Sequence, residues 1–191
     1  MLNDRSSLLS HLATRRSCRP RDLAEPGPDA GQLRRILEIA ARSPDHGKLA
    51  PWRFVHVGRD RRPAFAAMLE AAYRAGKAEE PGRLEIEAVH RFATQAPELV
   101  VLLSRPVEGK IPVWEQELSC GAVGMNLLHA AASLGFDGGW VTGWAAYSPE
   151  VLEALGGKPP ERIAGFIFLG TAGVELEERI RPSLEDIARE F

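Results

Sequence analysis

"VWEQELSCGAVGMNLLHAAASLG", residues 113–135, keeps a helical period while crowding itself with Gly, Ala, Ser and Cys. Small side chains let a neighbour approach closely, so the pattern predicts a central buried helix over 113–134, with a second subunit as one candidate neighbour. Gly135 stands where a helix C-terminus favours glycine.

Around this helix the chain alternates between helical and strand patterns. Leu8, Leu9 and Leu12 share one helical face within about 4–14, followed by "RRSCRPRD" and a break at Pro20. Residues 29–42 carry Leu33, Ile36, Leu37 and Ala40 at helical spacing behind Asp29, with Gln32 as a capping-box partner. "WRFVHVG" alternates as a strand, 60–76 and 82–95 read as helices, and "ELVVLLS" at 98–104 is a buried strand. "FDGGWVTGW" is a strand with a glycine-loosened exit, and "YSPEVLEALGG" is a short helix with Ser148 at the N-cap and Pro149 at N1. "RIAGFIFLG" is the last strand, before a polar tail over 172–191 with one helical turn after Ser183. This order predicts an α+β layer arrangement in one domain spanning 1–191.

With 24 basic and 26 acidic residues the formal charge is −2, which gives no global attraction to nucleic acid or to an anionic membrane. Any anion must be met by a local cluster. Cys18 and Cys120 form no CxxC or CxxH pattern, and no stretch approaches the roughly 20 apolar residues of a spanning helix. The start lacks the order of a secretory signal, and a cytoplasmic protein is expected.

Two clusters stand out. "RRSCR", Arg15 to Arg19, offers three guanidiniums and a hydroxyl, suited to phosphate or, more blandly, to a solvated helix end. "ARSPDHGKLAPWRF", residues 41–54, gathers Arg42, Asp45, His46 and Lys48 at a corner that needs only its glycine and prolines to turn. Asp45 and His46 lack a third metal ligand at ligand spacing, which disfavours a metal hydrolase, and Asp45 reads as a turn-former. GxGxxG is absent, so no Rossmann site is expected, and the acids of "WEQE" suit the first turn of a helix.

Taken in order, "RRSCR", "ARSPDHGKLAPWRF", "WEQELSCGAVGMNLLHAAASLGFDGGWVTG", "GFIFLG" and a tail with "IRP" resemble the flavin-dependent nitroreductase family over nearly the full length. The likeness is nearest to its short NAD(P)H nitroreductases with "PDHG/K…PWRF" and "PxWEQExS". Other branches carry a Ser-Ser or Ser-Asn pair and "QPW" where this chain has "DHGKLAPW", and their substrates are not transferred.

The resemblance implies a mostly antiparallel sheet of four to five strands flanked by helices, and a C-terminal tail wrapping the partner of a homodimer. It implies two FMN molecules at the subunit interface, with NAD(P)H as co-substrate and a small electron-poor acceptor such as a nitroaromatic or quinone. By position, Arg15, Arg16 and Ser17 would hold the ribityl phosphate and Arg19 would lie near the flavin pyrimidine. Arg42 and His46 would bind the cofactor, and Trp140, Val141 and Thr142 would line its ring. Arg181 of "IRP" would reach the phosphate. Ala130, Ala131, Ala132, Ser133, Leu134 and Gly135 would meet the nicotinamide nucleotide. The flavin itself would carry the chemistry, with no catalytic side chain and no metal. A flavin carrier or sensor without turnover is the rival reading, and neither NADH nor NADPH is selected by a recognisable residue.

Overall fold

In the computed structural model, which describes residues 1–191, the chain forms five strands and eight helices. The strands are β1 (Leu23–Ala24), β2 (Trp52–His56), β3 (Glu98–Ser104), β4 (Asp137–Val141) and β5 (Arg162–Ala172). The helices are α1 (Leu8–Thr14), α2 (Ala30–Ala40), α3 (Arg62–Ala75), α4 (Arg83–Thr94), α5 (Val113–Ser133), α6 (Trp144–Tyr147), α7 (Pro149–Ala154) and α8 (Leu184–Ile187). Every strand pairing is antiparallel, in the order β1-β5-β3-β2, with β4 also bonded to β5.

Strand β5 is the hub of this sheet because it pairs with β1, β3 and β4. Its side chains and those of β3 alternate between two cores, as a period of two requires. Leu99, Val101, Leu103, Phe166 and Phe168 face α3, α4, α6 and α7, and Val100, Leu102, Ile167 and Leu169 face α2 and α5. Both faces are therefore covered, which explains why "LVVLLS" is buried without a polar alternate. Helix α2 starts at the expected capping box, with Asp29 and Gln32 each accepting from the other's backbone N–H. Ser148 caps α7, and Gly135 leaves α5 with φ +94°.

The small residues of α5 do two separate jobs. Gly124 faces inward: the Trp140 indole lies over it so closely that a Cβ there would stand 2.6 Å from the ring. That indole is held from its other edge, where Nε1 donates to the Ala164 carbonyl at 3.1 Å and Gly165 leaves room for the ring. Gly121 is half-exposed, and a Cβ there would meet nothing within 4 Å. On the same outer face Trp114 and Leu118 are 66% and 54% exposed.

Four differences from the sequence reading have local causes. Helix α1 begins at Leu8 behind the Ser7 N-cap rather than near residue 4. Arg15 is its C-cap, and the chain beyond runs on extended, with the Cys18 N–H donating to the Gly138 carbonyl at 3.0 Å. The two-residue β1 is too short to show a period. The strand begun at 136 ends at Val141, where Gly143, at φ +113°, turns the chain into α6. Strand β5 runs two residues past Gly170, its end bonded to β1.

The two glycines of α5 give opposite expectations. Gly124→Ala overpacks the Trp140 contact and should destabilise by about 1–3 kcal/mol. Gly121→Ala adds a methyl to open space and should gain up to about 1 kcal/mol of helix propensity. Urea midpoints of the two variants test this, and a Gly124→Ala midpoint at or above wild type would contradict the packing described.

Candidate functional site

The arginine segment is placed from three directions. Asn3 accepts the Arg16 N–H at 2.6 Å and donates to the Arg16 carbonyl at 3.0 Å, pinning the backbone in the middle of "RRS". The same Asn3 amide donates to Asp137 at 2.7 Å, and Arg5 adds an ion pair to that carboxylate at 2.9 Å. Gly139 lies under the segment, and a Cβ there would collide with the Cys18 carbonyl. Gly139 thus lets the extended chain lie directly on β4, while its neighbour Gly138 makes room for Leu128 and Leu169.

Arg15 and Arg16 emerge from this seat with donors to spare. Arg15 donates to the Ser17 hydroxyl at 2.9 Å, and Arg16 donates from Nε to the Glu177 carbonyl at 2.8 Å. A guanidinium has five N–H donors, so most remain free. The tail returns Arg181 to the same place, where it donates to the Arg15 carbonyl and to Glu178, each at 3.3 Å. Burial, then the positive charges of Arg181 and Arg16, lower the Arg15 pKa from its ordinary value, while leaving a guanidinium charged. Three like charges converge with Glu178 as the acid acting on Arg15, an arrangement suited to an anion.

Behind these arginines is a small recess lined by Asn3, His11, Arg15, Arg16, Ser17 and His129, among others. His11 and His129 touch through Nε2 and Nδ1 at 3.1 Å, with their rings edge to face. Neither histidine has a local sequence signal, since they are brought together across 118 residues. Both are held below the ordinary histidine pKa: His11 by burial, then Arg5 and Arg15; His129 by burial, then His11 and Arg15.

The corner at 42–48 lies elsewhere along α5. Ser43 accepts from Asn126 at 2.9 Å and His46 pairs with Glu115 at 2.7 Å, so the corner runs along α5 from its first turn into its second half. Asp45 accepts from the N–H groups of Leu49 and Ala50, holding the turn. "WEQE" gains a structural account here: Glu115 meets His46, and Gln116 bonds the backbone of Val107 and Ile111. Arg42, His46 and Lys48 are exposed. No three His, Cys, Asp or Glu residues come together as a metal-sized group.

The remaining expected residues divide by exposure. Arg19 is exposed beyond the cluster. The Trp140 side chain is committed to the core contact with Gly124, so β4 offers its outer surroundings backbone rather than indole. Val141 is half-buried, and Thr142 lines a cavity of about 330 Å³ with Tyr73, Phe92 and Trp144. Ala130, Ala131 and Ala132 are buried in the core, and only Ser133, Leu134 and Gly135 of that segment reach the surface. Cys18 and Cys120 are buried thiols pushed up to about 11 by burial, which leaves them protonated and unreactive.

Comparison with known proteins bears on this arrangement. Residues 12–171 match the sequence profile of the Nitroreductase family. The Escherichia coli protein named "Putative NAD(P)H nitroreductase YdjA" is 36% identical over 150 residues, 78% of this chain and 80% of that one. A nitroreductase-like family protein from Bacillus cereus superposes with a TM-score of 0.81 at 19% identity, covering 97% of this chain and 96% of that one. A Bacteroides fragilis nitroreductase with bound FMN superposes with a TM-score of 0.68 at 22% identity, covering 92% and 94%. By sequence as well as by fold, this chain belongs to the nitroreductase family.

Proposed function

We propose that the chain is an FMN-dependent oxidoreductase that passes hydride from NAD(P)H to nitroaromatic, quinone or related electron-poor compounds, as a cytoplasmic homodimer. The observation that carries this reading is the convergence of Arg15, Arg16 and Arg181, with Ser17, on one surface where Arg15 and Arg16 bond only a hydroxyl and backbone carbonyls. The donor set fits a phosphate monoester: planar forks for bidentate bonding, a hydroxyl, and a rigid seat made by Asn3 and Gly139. Family membership and a solved relative with bound FMN point the same way.

Bound FMN would supply hydride transfer at its N5, taking hydride from the nicotinamide and giving it to the acceptor in alternation, hence ping-pong kinetics. The residues of this chain bind and orient. Arg15, Arg16 and Arg181 neutralise the phosphate end, and the exposed Arg19 and Arg42 are the cations free to meet the flavin pyrimidine. By position His46 would bind the cofactor and Val141 and Thr142 would line its ring, while the accessible Ser133, Leu134 and Gly135 would meet the nicotinamide nucleotide.

A shared site at a dimer interface is supported by distances along α5. His11 attaches at His129 and His46 at Glu115, 14 residues apart on one helix and so separated by about 21 Å. One chain then offers two halves of a cofactor site to different neighbours. Exposed Leu8, Leu9 and Leu12 on α1, Trp114 and Leu118 on α5, and Ile180, Leu184 and Ile187 in the tail supply apolar surface for a partner.

Three outcomes are expected. Purified protein should be yellow, with a mass in solution of about twice 20.9 kDa. A flavin-loaded monomer would refute the shared site. Mixing with NADH or NADPH without oxygen should bleach the flavin within a turnover and an added quinone should restore it; stable yellow colour with both donors would leave a carrier or sensor. Arg16→Ala should weaken FMN about tenfold to a hundredfold by removing a charge-assisted hydrogen bond, with riboflavin unaffected. Equal losses for FMN and riboflavin would assign Arg16 to the fold instead.

A further inference from the structure

The His11–His129 contact is unexplained by folding alone. Whichever imidazole donates the shared proton at 3.1 Å, the pair has one bridging N–H, one outer N–H and one outer lone pair. In both arrangements His11 Nδ1 is buried without a partner. A buried polar atom left in this state is destabilising and asks for a ligand or a function. The groups facing the pair are Arg5, Arg15 and Arg16 from the N-terminal segment and Asp137 from the start of β4. Arg15 in turn lies beside Arg181 and Glu178 of the tail.

A nitrogen separation of 3.1 Å also suits two imidazoles on one metal ion, but the surroundings decide against a cation. Asp137 is already occupied by Asn3, Arg5 and the Ala172 N–H, so the uncompensated charge nearby is positive. An anion is the ligand this environment prefers.

We propose that His11 and His129 form a proton-accepting part of the phosphate site, taking up one proton from solvent when the flavin phosphate binds and adding an imidazolium to the charges of Arg15 and Arg16. The inference rests on the phosphate reading given above. The proton enters at the outer lone pair, so His11 Nδ1 and His129 Nε2 both become donors while the bridging hydrogen stays in place. Because His11 Nδ1 is buried, the phosphate gains from the added charge of the pair rather than from that N–H. Without phosphate, burial and the arginines hold both histidines below the ordinary histidine value, which disfavours a further charge in the free protein. The phosphate charge acts in the opposite direction and raises the pair toward or above the ordinary histidine value near 6.5. The extra FMN affinity is therefore present at low pH and lost as pH rises through the raised value.

The test compares wild type with the double variant His11→Gln/His129→Asn, whose amides can keep the bridging hydrogen bond but do not titrate in this range. Apo-protein is titrated with FMN and with riboflavin at pH 5.5, 7 and 8.5. Protonation of the FMN phosphate itself affects both proteins, so the ratio of wild-type to variant affinity isolates the histidines. That ratio should rise several-fold from pH 8.5 to 5.5, toward a limit of about tenfold for each unit by which the phosphate raises the pair, and only for FMN. Calorimetry at pH 6.5 in two buffers of different ionisation heat should find more protons taken up per FMN by wild type than by the variant. A pH-independent ratio, or equal proton uptake, overturns the role of the pair while leaving the arginine site standing. If wild type binds FMN no better than riboflavin at any pH, the phosphate reading itself falls and the pair's role with it. Should the double variant not fold, His129→Asn alone supplies the same affinity ratio, and a rise at low pH supports the pair's role while a flat ratio overturns it.

Discussion

Asp137 is the joint on which the site hangs. This one carboxylate, 9% exposed, accepts from Asn3 near the N-terminus, from Arg5 ahead of α1, and from the N–H of Ala172 at the end of β5. A buried carboxylate is tolerable only when its lone pairs are used, and here they are used by three residues from two distant parts of the chain, the N-terminal segment and the end of β5. Asn3 carries the constraint onward by bonding both sides of the Arg16 backbone. The position of the arginines is therefore set by a hydrogen-bond network anchored in the sheet, not by the helix that precedes them. Removing one partner of such a network would release the terminal segment and the arginine seat together.

Close backbone approach is the second constraint. Trp140 is wedged between Gly124 of α5 and Gly165 of β5, and the arginine segment lies on Gly139. At each place the missing Cβ is filled by an aromatic ring or by another stretch of main chain. Packing at these points is tight enough that a single methyl would have to displace its neighbour. The inner glycine of α5 belongs to the protein's own core, and the outer one lies on the face that carries the exposed Trp114 and Leu118.

What was legible in the sequence follows from the range of each signal. Elements with a period or a cap could be read: the capping box at Asp29, the cap at Ser148, the fully buried β3 and the long α5 all declare themselves within a few residues. The arginines and the serine could be read because they are adjacent, and Arg181 only through the resemblance of its tail motif. Asn3, Asp137, His11 and His129 could not, since their contacts span 118 to 134 residues and no local pattern marks them. Trp140 shows a further limit: its position beside the loop was legible, whereas the direction of its indole depended on two glycines on different elements.

The charge distribution separates the parts of the protein built for stability from those built for binding. Two less exposed cations elsewhere are satisfied: buried Arg62 donates to the carbonyls of Val57, Ala93 and Gln95, and Arg53 is paired with Glu161. Arg62 shows that this fold can bury a guanidinium completely by spending its donors on backbone oxygens. Arg15 and Arg16 are treated differently, since they are kept close to each other and to Arg181 with much of their bonding capacity unused. Concentrating like charges in a chain of nearly balanced net charge opposes folding, and such departures from local consistency are expected where a ligand restores the balance. The histidine pair behind the arginines, held below the ordinary histidine value, fits the same logic, because a further fixed cation there would deepen the repulsion in the free protein, whereas a titrating group can take its charge when an anion arrives.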